Sequence, residues 1–498
     1  MNGWSAAMVP QYEAVWDHLR VSELGNLGGV AQRELRAADL AAVREQIGRD
    51  PTTPFTVVAR CSGGHPLVIR NAPIDTNGDP FPTTFWLTCP EAVKAIARVE
   101  SQGWIAKLND RVQEDQAFDE AVESAHRAYA AERAEALEAA RTWGGVAGTR
   151  TGVKCLHAHY AYRIAGGEDP VGAWIAARVE PIHPGQRSDR VAAIDQGTNS
   201  CRLLIVEPGT EPDDPPVELA RDMVITRLGR GVDRTGQLDP GALQQTGVIL
   251  GRYGRRARAL GVRTMRVAAT SAVRDAANRE RFGEIARAAT GATVEVIDGE
   301  REAGLSFLGA TQGLDPALGP FLVMDIGGGS TEFVMGRVPG VARRTISIQL
   351  GSVRQTERVA PADPPTAEDV AAFERDTSDA LDDVEGAVPV REARTLVSCA
   401  GTATTMLAVH LRLERYDPDL IHRRWLTVED AETTLLRLAR MTNAERAALP
   451  VMVPGRGDVI VAGAVILVTA MRRFGFGRTL VSETDILDGL AAELLRFR

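Results

Sequence analysis

Val191-Ala-Ala-Ile-Asp195-Gln-Gly-Thr-Asn-Ser200 and Phe321-Leu-Val-Met-Asp325-Ile-Gly-Gly-Gly-Ser-Thr-Glu332 share one pattern: an apolar run, an aspartate, glycine, then hydroxyls. Each apolar run predicts a short buried strand. A strand that runs into Asp-x-Gly places a carboxylate and several backbone N–H groups at one strand end. That is a phosphate and metal cradle: glycine admits close backbone approach, hydroxyls add donors, and aspartate organises a hydrated divalent cation. A tight glycine turn alone explains one such loop. Two near-copies predict two related lobes closing on one phosphate chain.

Outward from these loops the pattern is strand, loop, helix, strand. Val191–Val206 reads as a strand, the first loop and a returning strand. Thr264–Ala269 is a strand leading to Thr270-Ser-Ala-Val-Arg274. Val294–Ile297 is a strand ending at Asp298-Gly-Glu-Arg-Glu302, with a helix following through Leu308. In the second half Phe333–Gly336 returns from the loop, and Thr395–Cys399 meets Ala400-Gly-Thr-Ala-Thr-Thr405 before an apolar helix. The expectation is a mixed α/β, two-lobed, internally repeated region. Its lobes are placed at 191–315 and 316–498. A linker at 184–190, in a Pro/Gly stretch that begins at Pro181, separates it from an N-terminal unit at 31–183. Residues 1–30 are an undetermined extension.

The composition sets limits. The chain has 498 residues, 44% hydrophobic and 25% charged, ordinary values for a globular protein of two to four domains. No run of eighteen apolar residues occurs, and the N-terminus lacks a basic region followed by an apolar one. Neither membrane association nor secretion is expected. Five scattered cysteines argue against a disulfide framework and for the cytoplasm. A net charge of −9 argues against specific nucleic-acid binding. The only lysines are Lys94, Lys107 and Lys154, so the later region has no P-loop and grips anions with arginine, amides or metal. Ten arginines between Arg221 and Arg266 stand against three aspartates. They read either as a solvated face or as a positive wall for a polyanion.

Asp195 and Asp325 are the candidate metal ligands, through water. Gly197, Thr198, Asn199 and Ser200, with Gly327, Gly328, Gly329 and Ser330, are the candidate phosphate donors. Hydrolysis also needs a carboxylate to direct water, and Glu300 and Glu302 offer themselves equally. In the N-terminal unit Cys61, Cys89, Cys155, His126, His157 and His159 could furnish a zinc site. No C-x-x-C occurs among them, and buried small thiols are the favoured reading.

Taken together, the motifs resemble the exopolyphosphatase/guanosine-pentaphosphate phosphohydrolase (Ppx/GppA) family over about 190–498. They include the two loops, Arg227-Leu-Gly-Arg-Gly231, Ala269-Thr-Ser-Ala-Val-Arg274, Gly299-Glu-Arg-Glu302, Gly351-Ser-Val353, Gly401-Thr402, Arg456-Gly-Asp458 and Asp488-Gly489. The resemblance implies an actin-like, ribonuclease H-like fold of the kind shared with acetate and sugar kinases, preceded by a separate α+β domain. It implies a phosphoanhydride hydrolase that removes the terminal phosphoryl of inorganic polyphosphate with Mg²⁺ or Mn²⁺, acting as a homodimer. Guanosine pentaphosphate 5′-phosphohydrolase and a non-catalytic polyphosphate or alarmone sensor are the alternatives. Glu302 becomes the general base, Arg274 the phosphoryl clamp, and Glu332 an aid to metal or water. Gln196, Cys201 and Gly304 depart from the family pattern. The N-terminal unit resembles the domain of unknown function 501 family, through Ala59-Arg-Cys61, Pro80-Phe-Pro-Thr83 and Val153-Lys-Cys-Leu-His157, which carries no activity over.

Overall fold

Pro66–Asn71 opens with four apolar residues, as an interior strand does, and it is buried along its whole length, Arg70 and Asn71 included. It is the middle strand, β2, of an antiparallel sheet with β1 (Phe55–Arg60) and β3 (Phe85–Leu87). The computed structural model describes residues 37–75, 81, 83–134, 144–180, 182, 189–209, 214–338 and 341–496. The 1–30 extension and most of the linker fall outside these residues. The chain divides into two compact units, the first reaching residue 186 and the second running from 187 to the C-terminus.

In the first unit, helices cover this sheet. Tyr129 and Tyr162 pack edge-on at 5.0 Å, and the Tyr129 hydroxyl accepts the Thr84 N–H at 2.7 Å. The Ala/Glu/Arg-rich stretch forms two helices, Trp104–Glu114 and Gln116–Ala134. Asp115 breaks it, turning extended and accepting the Phe118 N–H at 3.1 Å. The unit is α+β.

The second unit contains two sheets of one design. The first, in order β6-β5-β4-β7-β8, uses β4 (Val191–Gln196), β5 (Ser200–Glu207), β6 (Val217–Ile225), β7 (Thr264–Ala269) and β8 (Thr293–Val296). The second uses β9 (Phe321–Ile326), β10 (Thr331–Arg337), β11 (Val341–Ile348), β12 (Thr395–Cys399), β13 (Arg424–Thr427) and β14 (Arg478–Val481), in order β11-β10-β9-β12-β14-β13. In both, three antiparallel strands continue into parallel ones. Parallel pairing demands long crossovers, which helices such as Pro240–Ala259 and Ala367–Ala387 supply. β4 and β9 are buried at every position, as strands covered on both faces must be.

Two helices join the lobes. The Asp298 carboxylate accepts the Arg301 N–H at 2.8 Å and starts the helix at Gly299, so Glu302 lies inside its first turn rather than before it. This helix runs to Thr311. Its Ala303, Phe307 and Ala310 pack on the second sheet, while Leu305 joins the core of the first. Helix Ile486–Arg496, placed by sequence order in the second lobe, packs Leu487, Leu490 and Leu494 on Val191 and Leu204 of the first. The two helices touch through glycine: a methyl on Gly489 would lie 2.0 Å from the Leu305 carbonyl oxygen. That contact is the physical reason for glycine after Asp488. Among the described residues, no helix is long and apolar enough to cross a membrane.

Candidate active site

The two Gly-rich loops are hairpin turns of the same build. Gly197 N–H donates to Ser200 O at 2.9 Å, and Gly327 N–H to Ser330 O at 3.0 Å. Loop carbonyls point away from the cavity and are taken up by the segment after the third strand. Asn199 O accepts from Thr226 and Arg227, Thr198 O from Gly229, and Gly328 O from Val353 and Arg354. Among the described residues, the N–H groups of Thr198, Asn199, Gly328 and Gly329 have no protein acceptor. The loops abut. A methyl on Gly329 would sit 2.6 Å from Ser271 Oγ and 2.8 Å from Thr198 Oγ1, so only glycine fits. Arg354 locks the junction, donating to Gly329 O at 2.7 Å and pairing with Asp233 and Asp275 of the first lobe.

Between the loops lies a cavity of about 120 Å³. All eight predicted phosphate donors line it, with Asp195, Asp325 and Glu302. Gly401 and Thr402, in the first turn of helix Ala400–His410, also reach it. Arg456 packs against Gly401 and donates to its carbonyl at 3.3 Å. Ala400 is held at φ 63°, a left-handed conformation unusual for alanine at the start of a helix.

Arg274 and Glu332 do not line the cavity. Arg274 Nη1 donates to Glu302 Oε2 at 3.0 Å and to Ile297 O at 2.9 Å, so it holds the glutamate instead of facing the phosphoryl position. Glu332 is 1% exposed and stands directly across the hairpin from Asp325, with Ser347 donating to Oε1 at 2.7 Å. Ser306 donates to Asp325 Oδ2 at 2.6 Å.

Two residues absent from the sequence reading complete the cluster. Arg202 faces Asp195 across the first hairpin and donates twice to Oδ2, at 2.9 and 2.6 Å, while its other amino group pairs with Asp485. Burial would raise Asp485, but Arg202 and the Leu487 N–H outweigh it and hold the carboxyl below its usual range. Asp195 shares that guanidinium, yet burial keeps it raised. Among the described residues it has no second donor, and its Oδ1 is buried without a partner. Arg202 was findable by counting back around the turn; Asp485 arrives from 283 residues away.

Burial, then neighbouring carboxylates, shift three further acids upward. Asp325 goes to about 6 and Glu332 to about 7, and Glu302 rises well above its ordinary value despite Arg274. Among the described residues, the ion pairs of Asp195, Glu302, Asp325, Glu332 and Asp485 are thus made by Arg202 and Arg274 alone. Glu332 Oε2 is also buried without a partner. Unpaired oxygens and surplus negative charge fit a hard divalent cation.

The arginine wall does not form as a continuous face. Arg221 pairs with Glu218 and Asp488, Arg252 and Arg256 with Asp222, and Arg266 with Glu493. Arg227 and Arg230 line a second cavity, which shares Thr198 and Asn199 with the first. Nor do the six N-terminal Cys and His residues gather at one point, although Cys155 and His157 lie 4.0 Å apart. His126 binds Gly152 O and Val146 N, His159 binds Asp169 at 2.7 Å, and Cys61 and Cys89 are buried thiols. Cys201 and Cys399 are buried.

The Ppx/GppA phosphatase family matches residues 211–496, more than half the chain. The chain belongs to that family. Exopolyphosphatase 2 of Mycobacterium tuberculosis is 41% identical over 315 residues, covering 61% of this chain and 98% of that protein. A bifunctional 3-dehydroquinate synthase/phosphatase of Fusobacterium nucleatum is 32% identical over 312 residues, covering 61% of this chain and 46% of that protein. Among solved structures, an exopolyphosphatase-like protein superposes with TM-score 0.57 at 36% identity, covering 62% of this chain and 99% of its own. The family member from Aquifex aeolicus does so with TM-score 0.53 at 30% identity, covering 62% and 98%. The two-lobed actin-like fold is therefore that of the family. Residues 57–177 match a protein of unknown function family (DUF501).

Proposed function

We propose that the protein is an exopolyphosphatase, releasing orthophosphate from the end of linear inorganic polyphosphate. One observation carries the reading: two facing loops with unengaged N–H groups share a cavity with a buried, arginine-held glutamate. The loop amides and hydroxyls bind successive phosphates. The Arg274 guanidinium favours the ionised form of Glu302 and fixes its direction. Ionised Glu302 orients a water for in-line attack on the terminal phosphorus. The new P–O bond forms from water, the bridging P–O bond breaks, and the water proton passes to Glu302. The shortened chain leaves as the anion. Mg²⁺, when bound, supplies positive charge at the phosphoryl oxygens, and Asp325, Glu332 and Asp195 Oδ1 are the groups that would hold it. The rest of the chain runs past Arg227 and Arg230 in the adjoining cavity.

The test is orthophosphate release from long-chain polyphosphate and from guanosine pentaphosphate, with Mg²⁺ or EDTA, for wild type and Glu302→Ala. Metal-dependent release from polyphosphate, lost in the variant, is expected. Faster release from guanosine pentaphosphate would reassign the substrate. Tight binding without release would make the protein a sensor.

A further inference from the structure

The first unit brings together three side chains that no property of the phosphatase family explains. Glu100 ends helix Pro90–Glu100, Cys155 is the residue before helix Leu156–Ile164, and His157 lies in that helix's first turn. Their ligand atoms all lie within 4.8 Å of one another. His157 Nδ1 is 3.2 Å from Glu100 Oε1 and 4.0 Å from Cys155 Sγ. We propose that Glu100, Cys155 and His157 form a site for a thiophilic divalent cation of the Zn²⁺ class, with the fourth position open to solvent.

Three observations converge on this. The first is spacing. A tetrahedral ion with Zn–S about 2.3 Å and Zn–N or Zn–O about 2.05 Å holds S and N roughly 3.6 Å apart, and N and O roughly 3.3 Å apart. The N–O pair at 3.2 Å already fits and the S–N pair at 4.0 Å must close by a few tenths of an ångström, while S and O, within 4.8 Å of each other, are drawn in by side-chain torsions. The second is orientation. His157 Nε2 lies 3.1 Å from Val93 O, so that nitrogen carries the proton and Nδ1 is directed at the other two ligands. Zinc-bound histidines are held in this way, by a backbone carbonyl on the far nitrogen. Glu100 Oε1 is likewise fixed, accepting the Leu156 N–H at 2.8 Å. The third is access. His157 and Glu100 are 22% and 25% exposed, enough for an ion to enter.

The site differs in chemistry from the carboxylate cluster of the second unit, and the probe can exploit this. Full-length protein is titrated with Co²⁺ in excess Mg²⁺, and the sulfur-to-cobalt charge-transfer band in the near ultraviolet is read. One equivalent should produce the band, and Zn²⁺ should bleach it. Cys155→Ser should abolish it, Cys61→Ser should leave it intact, and His157→Ala should weaken Co²⁺ binding by more than the roughly 10–100-fold typical of an outer-shell loss. Near-ultraviolet circular dichroism checks that each variant is folded. If Cys155→Ser is not, Zn²⁺ protection of wild-type Cys155 from iodoacetamide, read by mass spectrometry, decides instead. Absence of the band in wild type, its persistence in Cys155→Ser, or alkylation of Cys155 at one rate with and without Zn²⁺ would each overturn the site.

Discussion

Asp195 faces Arg202 across the first hairpin, and Asp325 faces Glu332 across the second. The backbone is the same, with the same turn hydrogen bond, but the electrostatics are opposite. Across the first hairpin one guanidinium is shared between two buried carboxylates, Asp195 and Asp485. In the second, two carboxylates are buried opposite each other and both are driven toward the protonated form. The first repeat thus carries most of its own countercharge and leaves one Asp195 oxygen unpartnered, while the second carries none across its hairpin. The duplicated scaffold has divided the labour unequally: the second hairpin brings most of the unpaired negative charge that a cation would meet.

The largest effect should come from the residue that both hairpins serve. Glu302→Gln is expected to lower orthophosphate release by about 10²–10⁴-fold with little change in substrate binding. Kinetics at saturating polyphosphate check this, and a loss under tenfold would remove Glu302 from its role. Breaking the first hairpin should be costly for the fold. Arg202→Met leaves Asp195 and Asp485 buried without their countercharge and should lose about 3–5 kcal/mol in urea unfolding.

Breaking the second hairpin should do the reverse. Glu332→Gln removes a repelled carboxylate, so the metal-free protein should gain stability at pH 8 while the Mg²⁺-induced rise in Tm shrinks. The pH profile sharpens the same contrast. Asp325 and Glu332 have folded pKa values raised above their unfolded ones. Their contribution is therefore fully present below about pH 4 and is lost as pH rises through about 6 and 7. In EDTA the Tm component that Glu332→Gln removes should fall across that window, and Mg²⁺ should restore more at pH 8 than at pH 5. A flat difference between wild type and variant would contradict the shared-repulsion account. The smallest effect is expected at Gly304, where a methyl would meet nothing within 4 Å. Gly304→Ala should stabilise by up to about 1 kcal/mol through helix propensity alone.

The repeated strands and loops were legible because each is local: an apolar run, an aspartate, and glycines where a second loop must approach. Cross-hairpin partners needed only a count around a tight turn, and that count gives Arg202 opposite Asp195. Asp485, Ser306 and Glu100 were not legible, since each reaches its partner through packing between distant segments. The arginine-rich segment misled for the same reason. Its side chains read as a free surface until Asp222, Asp488 and Glu493 arrived from elsewhere in the fold. The start of the Glu302 helix was misjudged by a few residues because Asp298 looked like part of the loop when it is the cap.

The helix Ile486–Arg496 has a consequence for how the chain is made. It completes a core whose first strands end at Glu207, about 280 residues earlier. At roughly 5–20 residues per second, a ribosome needs on the order of 15–55 seconds to span that gap. For that interval the nascent first sheet carries an uncovered apolar face. It can close only once helix Ile486–Arg496 has cleared the exit tunnel.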